Sequence, residues 1–260
     1  MNVMIIPAAG RGTRLEFDGP KLLFPLQGKP LIEYLFERYA HWIAHFVVVV
    51  NPADAEQVEQ HLMHLGYSYE LAFQASPTGM LDAILAPLDK LNADEIDNVW
   101  ITWCDQVGIT QSTAATLHQL LKGNRIGEPE PNLIFPTFNK VQPYIHMQRN
   151  EQGEIIRVLQ RREGDEMPMI GENDCGLFAM NRSAYFELLP KFSDSGFEEM
   201  NARGSATRER NFLPFIAWVF GKARVMTFSA KDESESIGIN TLADAQALIA
   251  SRNKESLQKS

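Results

Sequence analysis

Apolar and polar positions along the chain fall into two rhythms. "NVMII" (2–6) and "HFVVVV" (45–50) are short apolar runs rich in β-branched residues and bounded by Pro, Gly or Asn-Pro. That is the pattern of strands buried on both faces. Between them, "KPLIEYLFERYAHWI" (29–43) carries its apolar residues at helical spacing, with Pro30 tolerated near the start. A helix over "ADAEQVEQHLMHL" (53–65), a strand over "YSYELAF" (67–73), a helix over "TGMLDAILAPL" (78–88) and a strand over "VWITW" (99–103) follow. This alternation through about residue 122 predicts an α/β domain with a mainly parallel sheet.

The rhythm changes after Gly123. "NLIFPTF", "PYIHMQR" and "EIIRVLQ" read as strands, the last two joined at "NEQG" as a hairpin. "CGLFAM" (175–180) reads as another strand, with a helix from Ser183 after it. "RERNFLPFIAWVFG" predicts a helix ended by Gly221, its apolar positions facing the core. "ARVMTF" and a helix from Thr241 close the chain. No repeat or low-complexity linker interrupts it. One domain over 1–260 is expected, with a first half to about 122 and a mixed second half from about 123.

Composition narrows the classes. The 260 residues are 45% apolar, 22% charged and 10% aromatic, enough for a packed core. A net charge of -9 excludes general nucleic-acid binding, which draws on a basic stripe. Any anionic ligand must be held by a local cationic patch against the overall field. Cys104 and Cys175 form no Cys-x-x-Cys pair and read as reduced thiols, Cys104 as a buried and inert one. No apolar run approaches the roughly 20 residues of a membrane span, and no basic leader opens the chain. A cytoplasmic protein without signal peptide or membrane partner is expected. His41 with His45, and His61 with His64, lie on helix-like segments without a His-Glu-x-x-His pattern, and read as surface residues rather than ligands.

The cationic patch is at the start. "PAAGRGTRLEFDGPKLL" (7–23) sets Arg11, Arg14 and Lys21, with Lys29 beyond, against only Glu16 and Asp18. A glycine-rich turn after a first strand presents backbone amides to phosphate oxygens. A P-loop would need Gly-Lys-Ser/Thr, which is absent. A dinucleotide turn would need a third glycine where Arg14 stands, and the next helix is delayed to about Pro30. A nucleotidyltransferase loop, with glycines around a nucleoside triphosphate and an Arg and a Lys on its phosphates, suits Arg14 and Lys21. A plain glycine turn with solvated basic residues is the remaining alternative.

"AAGRGTR" followed by "GPK" and "GKPLIEY" resembles the signature of the sugar-phosphate nucleotidyltransferases, the MobA-like NTP transferases. It is most similar to the uridylyltransferase domain of bifunctional N-acetylglucosamine-1-phosphate uridylyltransferase. "FQASPTG" resembles that family's base-reading loop, "WCDQ" its metal-binding strand end, "ENDCGLFAM" its sugar-facing segment and "ESIGINT" the carrier of its second metal ligand. The order is kept over nearly the whole chain.

The resemblance implies a glycosyltransferase-A-like fold: three layers, a mixed, mainly parallel sheet flanked by helices, and a small β-hairpin subregion. It implies a transfer joining a sugar 1-phosphate to the α-phosphate of a nucleoside triphosphate, UTP by expectation, with release of pyrophosphate. Ala8, Ala9, Gly10 and Gly12 would hold the nucleotide, with Gln74, Thr78 and Gly79 at its base. Arg14 and Lys21 would take the phosphates, and Asp105 and Asn240 would hold Mg²⁺. Plainer readings make Asp105 a strand-end turn residue, Gln74 part of a polar turn and Asn240 a cap for the last helix. The absence of a catalytic His or Cys fits, because a phosphate nucleophile is already ionised. The acetyltransferase half of the bifunctional enzyme is expected to be missing, since the chain ends where it would begin.

The acceptor side departs from the family pattern. Gln160 stands at a glutamate position, Asp174 at an asparagine position and Pro143 at a glycine position, and Gly-Asp-x-Pro reads Cys104-Asp105-Gln106-Val107. These changes point to an acceptor other than N-acetylglucosamine 1-phosphate. Gln160, Arg161, Arg162, Asp174, Arg208, Glu209 and Asn211 are candidate acceptor contacts, or a solvated charged face. One rival reading is a cytidylyltransferase for a non-sugar phosphomonoester such as phosphocholine or a polyol phosphate, with Asp174 receiving a cationic group. Another is a catalytically silent nucleotide sensor, against which the full set Arg14, Lys21, Asp105 and Asn240 argues. Oligomeric state is not legible.

Overall fold

The computed structural model describes residues 1–10, 12–123, 130–195 and 209–258. Its first strand, β1 (Asn2–Pro7), has Val3, Met4, Ile5 and Ile6 fully buried. Successive side chains alternate faces, so Met4 and Ile6 enter one apolar core while Val3 and Ile5 enter another. A short hairpin of β2 (Pro25–Leu26) and β3 (Lys29–Pro30) precedes α1 (Leu31–Tyr39). Then come β4 (His45–Val50), α2 (Ala55–Leu62), β5 (Tyr69–Phe73), α3 (Met80–Leu85), β6 (Asn98–Thr102) and α4 (Gln111–Leu121).

The second half adds β7 (Leu133–Val141), a hairpin of β8 (Ile145–Arg149) and β9 (Ile155–Gln160), β10 (Ile170–Asp174) and β11 (Leu177–Asn181). A π-helical turn over Ala184–Leu188 leads into α5 (Leu189–Asp194), and α6 (Pro214–Trp218), β12 (Val225–Ser229) and α7 (Leu242–Gln258) follow. The main sheet runs β10-β7-β11-β6-β1-β4-β5, with β12 also on β7. Six strands share one direction; β10 and β11 run against them. Helices α1, α2, α4 and α7 cover one face through Leu35, Val58, Leu117 and Leu248. α3, α5 and α6 cover the other through Ile84, Leu189 and Ile216. The layout is the expected three-layer α/β fold with a mixed, mostly parallel sheet and a separate small hairpin.

This topology decides where chemistry can sit. The chain leaves β1 toward β4 on one side and returns to β6 on the other, so the loops after β1 and β6 part around a crevice. Such a switch point at the carboxyl ends of parallel strands is where α/β sheets bind ligands. β12 ends at the same edge and delivers residues 230–241 to it, and the reversed β11 begins there.

Several boundaries differ from the sequence reading. The helix expected over 29–43 begins at Leu31, because Lys29 and Pro30 pair with Leu26 and Pro25. The helix expected over 208–221 is confined to Pro214–Trp218; Phe212, Phe215, Ile216 and Val219 are buried as predicted. β10 shows no strand pattern of its own in the sequence, since its polar "END" masks the period. His45 lies in β4 and His64 beyond α2, so the histidine pairs do not share helices. Arg149 holds the hairpin to the sheet, donating from Nε and Nη2 to the two Glu172 oxygens (2.6 Å each) and from Nη2 to Thr227 Oγ1 (2.7 Å). Burial alone would raise the Glu172 carboxyl, but the hydrogen bonds from Arg149 hold it below its ordinary value.

Candidate active site

The loop after β1 returns over itself at Gly12, where a Cβ would come within 2.9 Å of the Lys21 Cβ. Glycine therefore lets the backbone lie against Lys21. Ala8 extends the ladder to β4 through its N–H to Val49 O (2.7 Å), and Ala8 and Ala9 are buried. At Gly10, its chain neighbours aside, no atom of the described residues stands within 4 Å of where a side chain would begin. The strand end thus opens to solvent over bare backbone.

Lys21 reaches the end of β6. Its Nζ forms an ion pair with Asp105 Oδ2 and donates to Asn240 Oδ1 (2.9 Å). Arg14 Nη2 donates to the same Asn240 oxygen (3.2 Å). Asn240 Nδ2 donates to Gly238 O (3.3 Å), which turns the amide oxygen toward the cations. Four residues from positions 14, 21, 105 and 240 therefore meet in one hydrogen-bonded cluster. Lys29 is not part of it: its ammonium pairs with Glu37 and sits 4.4 Å from the Tyr34 ring centre. Arg11 and Arg208 lie outside the described residues.

The capping assignment for Asn240 changes. Thr241 and Asp244 cap α7 reciprocally, through Asp244 N–H to Thr241 Oγ1 (3.2 Å) and Thr241 N–H to Asp244 Oδ2 (2.8 Å). Asn240 is left free to face Lys21. Gly238 lies close under this pair, a Cβ there standing 3.2 Å from Asp105 Oδ1, and Ile239 N–H donates to Asp105 O (3.1 Å).

Glu235, which no motif in the sequence singles out, fastens this segment. It is fully buried. One oxygen accepts from Thr110 N–H (2.9 Å) and Thr110 Oγ1 (3.0 Å), and the other from Lys231 N–H (3.3 Å). Gln106 Nε2 donates to Glu235 O (2.6 Å), and Gly108 packs so closely on Ser234 O that a Cβ would stand 2.3 Å away. The loop carrying Asp105 and the segment leading to Asn240 are thus one unit. An acidic residue in "SESIGIN" looks like a solvated charge; only the fold shows it buried.

The base-loop candidates form a self-contained turn. Gln74 Nε2 donates to Gly79 O (2.9 Å) and Thr78 Oγ1 (3.3 Å). Gly79 has φ +126°, and a Cβ there would lie 2.2 Å from Arg210 O. Arg210 N–H donates to Thr78 O (2.7 Å) and Leu81 N–H to Arg210 O (3.1 Å), so residues 209–211 are laid along this loop.

Asn211 and Asp174 adjoin, through Phe212 and Gly176, the ring of Trp103, two residues before Asp105. Phe212 packs edge-on at 6.1 Å between ring centres. Asn211 Nδ2 donates to Gln160 Oε1 (2.5 Å), and Arg162 pairs with Glu209. Arg161 turns to Gln142 O (2.9 Å). Asp174 is buried and accepts Gly176 N–H (2.8 Å); a Cβ on Gly176 would be 2.6 Å from the Trp103 ring. Burial raises the Asp174 carboxyl to about 6 and the Cys104 thiol to about 12, the latter in keeping with an inert sulfur.

Among the described residues no three of His, Cys, Asp and Glu gather into a metal cage, and no helix is long and apolar enough to cross a membrane. The remaining metal candidates, Asp105 and Asn240, fit a hard divalent cation. Both turn an oxygen toward one point, where Lys21 now supplies positive charge.

The profile of the MobA-like NTP transferase domain matches residues 4–172. This chain belongs to that family. It is 25% identical over 257 residues to the bifunctional protein GlmU of Oceanobacillus iheyensis, covering 96% of this chain and 53% of that protein. Against the GlmU proteins of Bacillus cytotoxicus and Listeria innocua it is 25% and 26% identical, covering 96% of this chain and 52% of each. The chain spans about half the length of these curated relatives.

Proposed function

We propose that this chain, acting as one domain, is a Mg²⁺-dependent nucleotidyltransferase that joins a sugar 1-phosphate to the α-phosphate of a nucleoside triphosphate, UTP by preference. The observation that carries the reading is the meeting of Arg14, Lys21, Asp105 and Asn240 at the crevice between β1 and β6. In the reaction an acceptor phosphate oxygen forms a bond to the α-phosphorus while the bond to the bridging oxygen breaks, and pyrophosphate leaves. No side chain has to remove a proton. Lys21, held in place by Gly12, Asp105 and Asn240, meets the charge that builds on the α-phosphate. Arg14, on the open side, meets the departing phosphates. Ala8 to Gly10 hold the nucleotide against backbone, and the turn of Gln74, Thr78 and Gly79 faces its base. Asp105 and Asn240 would hold Mg²⁺, which supplies charge neutralisation between phosphates.

The first half, to about residue 122, serves the donor and the second half the acceptor, around Gln160, Asp174, Glu209 and Asn211. Asp174 supports a sugar over a cationic acceptor such as phosphocholine, because its carboxylate is buried and engaged by its own turn. The test is acceptor-dependent pyrophosphate release with Mg²⁺, four nucleoside triphosphates, a panel of sugar 1-phosphates and phosphocholine. Release with UTP and a sugar 1-phosphate is expected. Release only with CTP and phosphocholine would replace the reading, and triphosphate binding without any release would favour the sensor.

A further inference from the structure

Hydrogen-bond polarity in the acceptor half can be followed from a group whose role is fixed. The backbone N–H of Leu213 can only donate, and it donates to Asn211 Oδ1 (3.2 Å). The Asn211 amide is therefore oriented, and its Nδ2 donates to Gln160 Oε1 (2.5 Å). Gln160 in turn has its carbonyl oxygen engaged, and its NH₂ end is the part left wholly unpartnered among the described residues. The backbone of Gln160 is fixed as well, by its N–H to Asp165 Oδ2 (2.8 Å) and by its place opposite Ile145 in the hairpin. The side chain is buried, yet among the described residues nothing accepts from Nε2, and that atom is not one of those sealed from solvent. Asn211 adjoins Phe212, whose ring packs on Trp103 beside Asp105.

We propose that Asn211 is a positioning residue that sets acceptor specificity: it holds Gln160 with its NH₂ toward the acceptor, so the substrate must present an oxygen there. The proposal rests on the nucleotidyltransferase reading for what the site binds, though not for how the amide points. A hydroxyl, carbonyl or carboxylate can accept from Gln160; an ammonium cannot, and would also face a donor across a partly dehydrated contact. Changing Asn211 to Asp keeps an oxygen for Leu213 N–H and offers a second oxygen to Gln160. The Gln160 amide then turns over and shows Oε1 to the substrate.

Two measurements test this. The first is side-chain amide hydrogen exchange by NMR, which needs no turnover. In the wild type the Asn211 NH₂ should exchange at least about tenfold more slowly than the Gln160 NH₂, and in N211D the Gln160 NH₂ should become the slow one. A protected Gln160 NH₂ in the wild type would overturn the proposal. The second compares glucose 1-phosphate with its 2-, 3-, 4- and 6-amino-deoxy analogues at about pH 6.5, where the amines are charged. At one ring position the wild type should lose roughly 100-fold or more in kcat/KM for the amine. N211D should shrink that ratio at least about tenfold, while Asn211→Ala, which frees the amide to turn, should fall between. An equal penalty in all three proteins sinks the specificity role. If another sugar 1-phosphate is the acceptor, its amino-deoxy analogues take the place of those of glucose; if no sugar 1-phosphate supports release with any triphosphate, the sugar reading fails instead, and amide exchange alone decides how Gln160 is held.

Discussion

A single ammonium, Lys21 Nζ, joins a carboxylate from the loop after β6 to an amide oxygen from the segment before α7. The pair is mostly buried, with 13% and 12% of the Lys21 and Asp105 side chains exposed, so its charge acts at low screening. Lys21→Ala should lower kcat/KM by about 10²–10³, since it removes a charge that works where negative charge builds. Melting temperature should fall as well, because the mostly buried Asp105 carboxylate is left without its partner. A merely twofold loss would make Lys21 a structural partner of Asp105 and nothing more. The identities of Lys21, Asp105 and Asn240 were legible in the sequence through motif resemblance. That Thr241, not Asn240, caps α7 was not, because either residue type can cap a helix and only the direction of the side chain separates them.

At the scale of elements, segments distant in sequence are fastened backbone to backbone. Residues 209–211 pair with the turn of Thr78 and Gly79, and Arg210 adds Nη1 to Asp82 Oδ1 (2.5 Å). Gly79→Ala would place a methyl group 2.2 Å from Arg210 O at a φ of +126°. It should cost at least about 2 kcal/mol. Urea denaturation reads that loss, and KM for the triphosphate should rise with it as the base loop moves. An unchanged midpoint and KM would mean that the two segments are not coupled. The reading of 208–221 as one helix failed here for a physical reason: the apolar spacing is helical, but Arg210 spends its N–H and C=O on the loop of α3. Propensity loses to tertiary pairing.

Across the whole molecule, buried charge ties stability to pH. Burial lifts the Asp174 carboxyl from 3.8 to about 6, only partly offset by Gly176 N–H. Between these values the folded chain keeps a proton that the unfolded chain has released, so stability from this group falls as pH rises from about 4 to about 6. Asp174→Asn should therefore stabilise the protein by up to about 3 kcal/mol near pH 7.5, and by almost nothing near pH 3.5. Urea midpoints at both pH values measure it. Equal effects at the two would show that the carboxyl is not held away from water.

The sequence by itself determined the layers. Strands buried on both faces must be nearly continuous in apolar residues, and "VMII" and "VVVV" can satisfy little else. It also set glycines and cations side by side in the loop after β1, which made that loop the candidate for phosphate binding. Tertiary structure alone decided that β11 enters antiparallel beside β6, that Glu235 is a buried clasp and that Gln160 presents its NH₂ end. Those outcomes depend on which donor finds which acceptor across scores of residues. Hydrogen bonding is directional and set by neighbours in space, whereas hydrophobic period is set by neighbours along the chain.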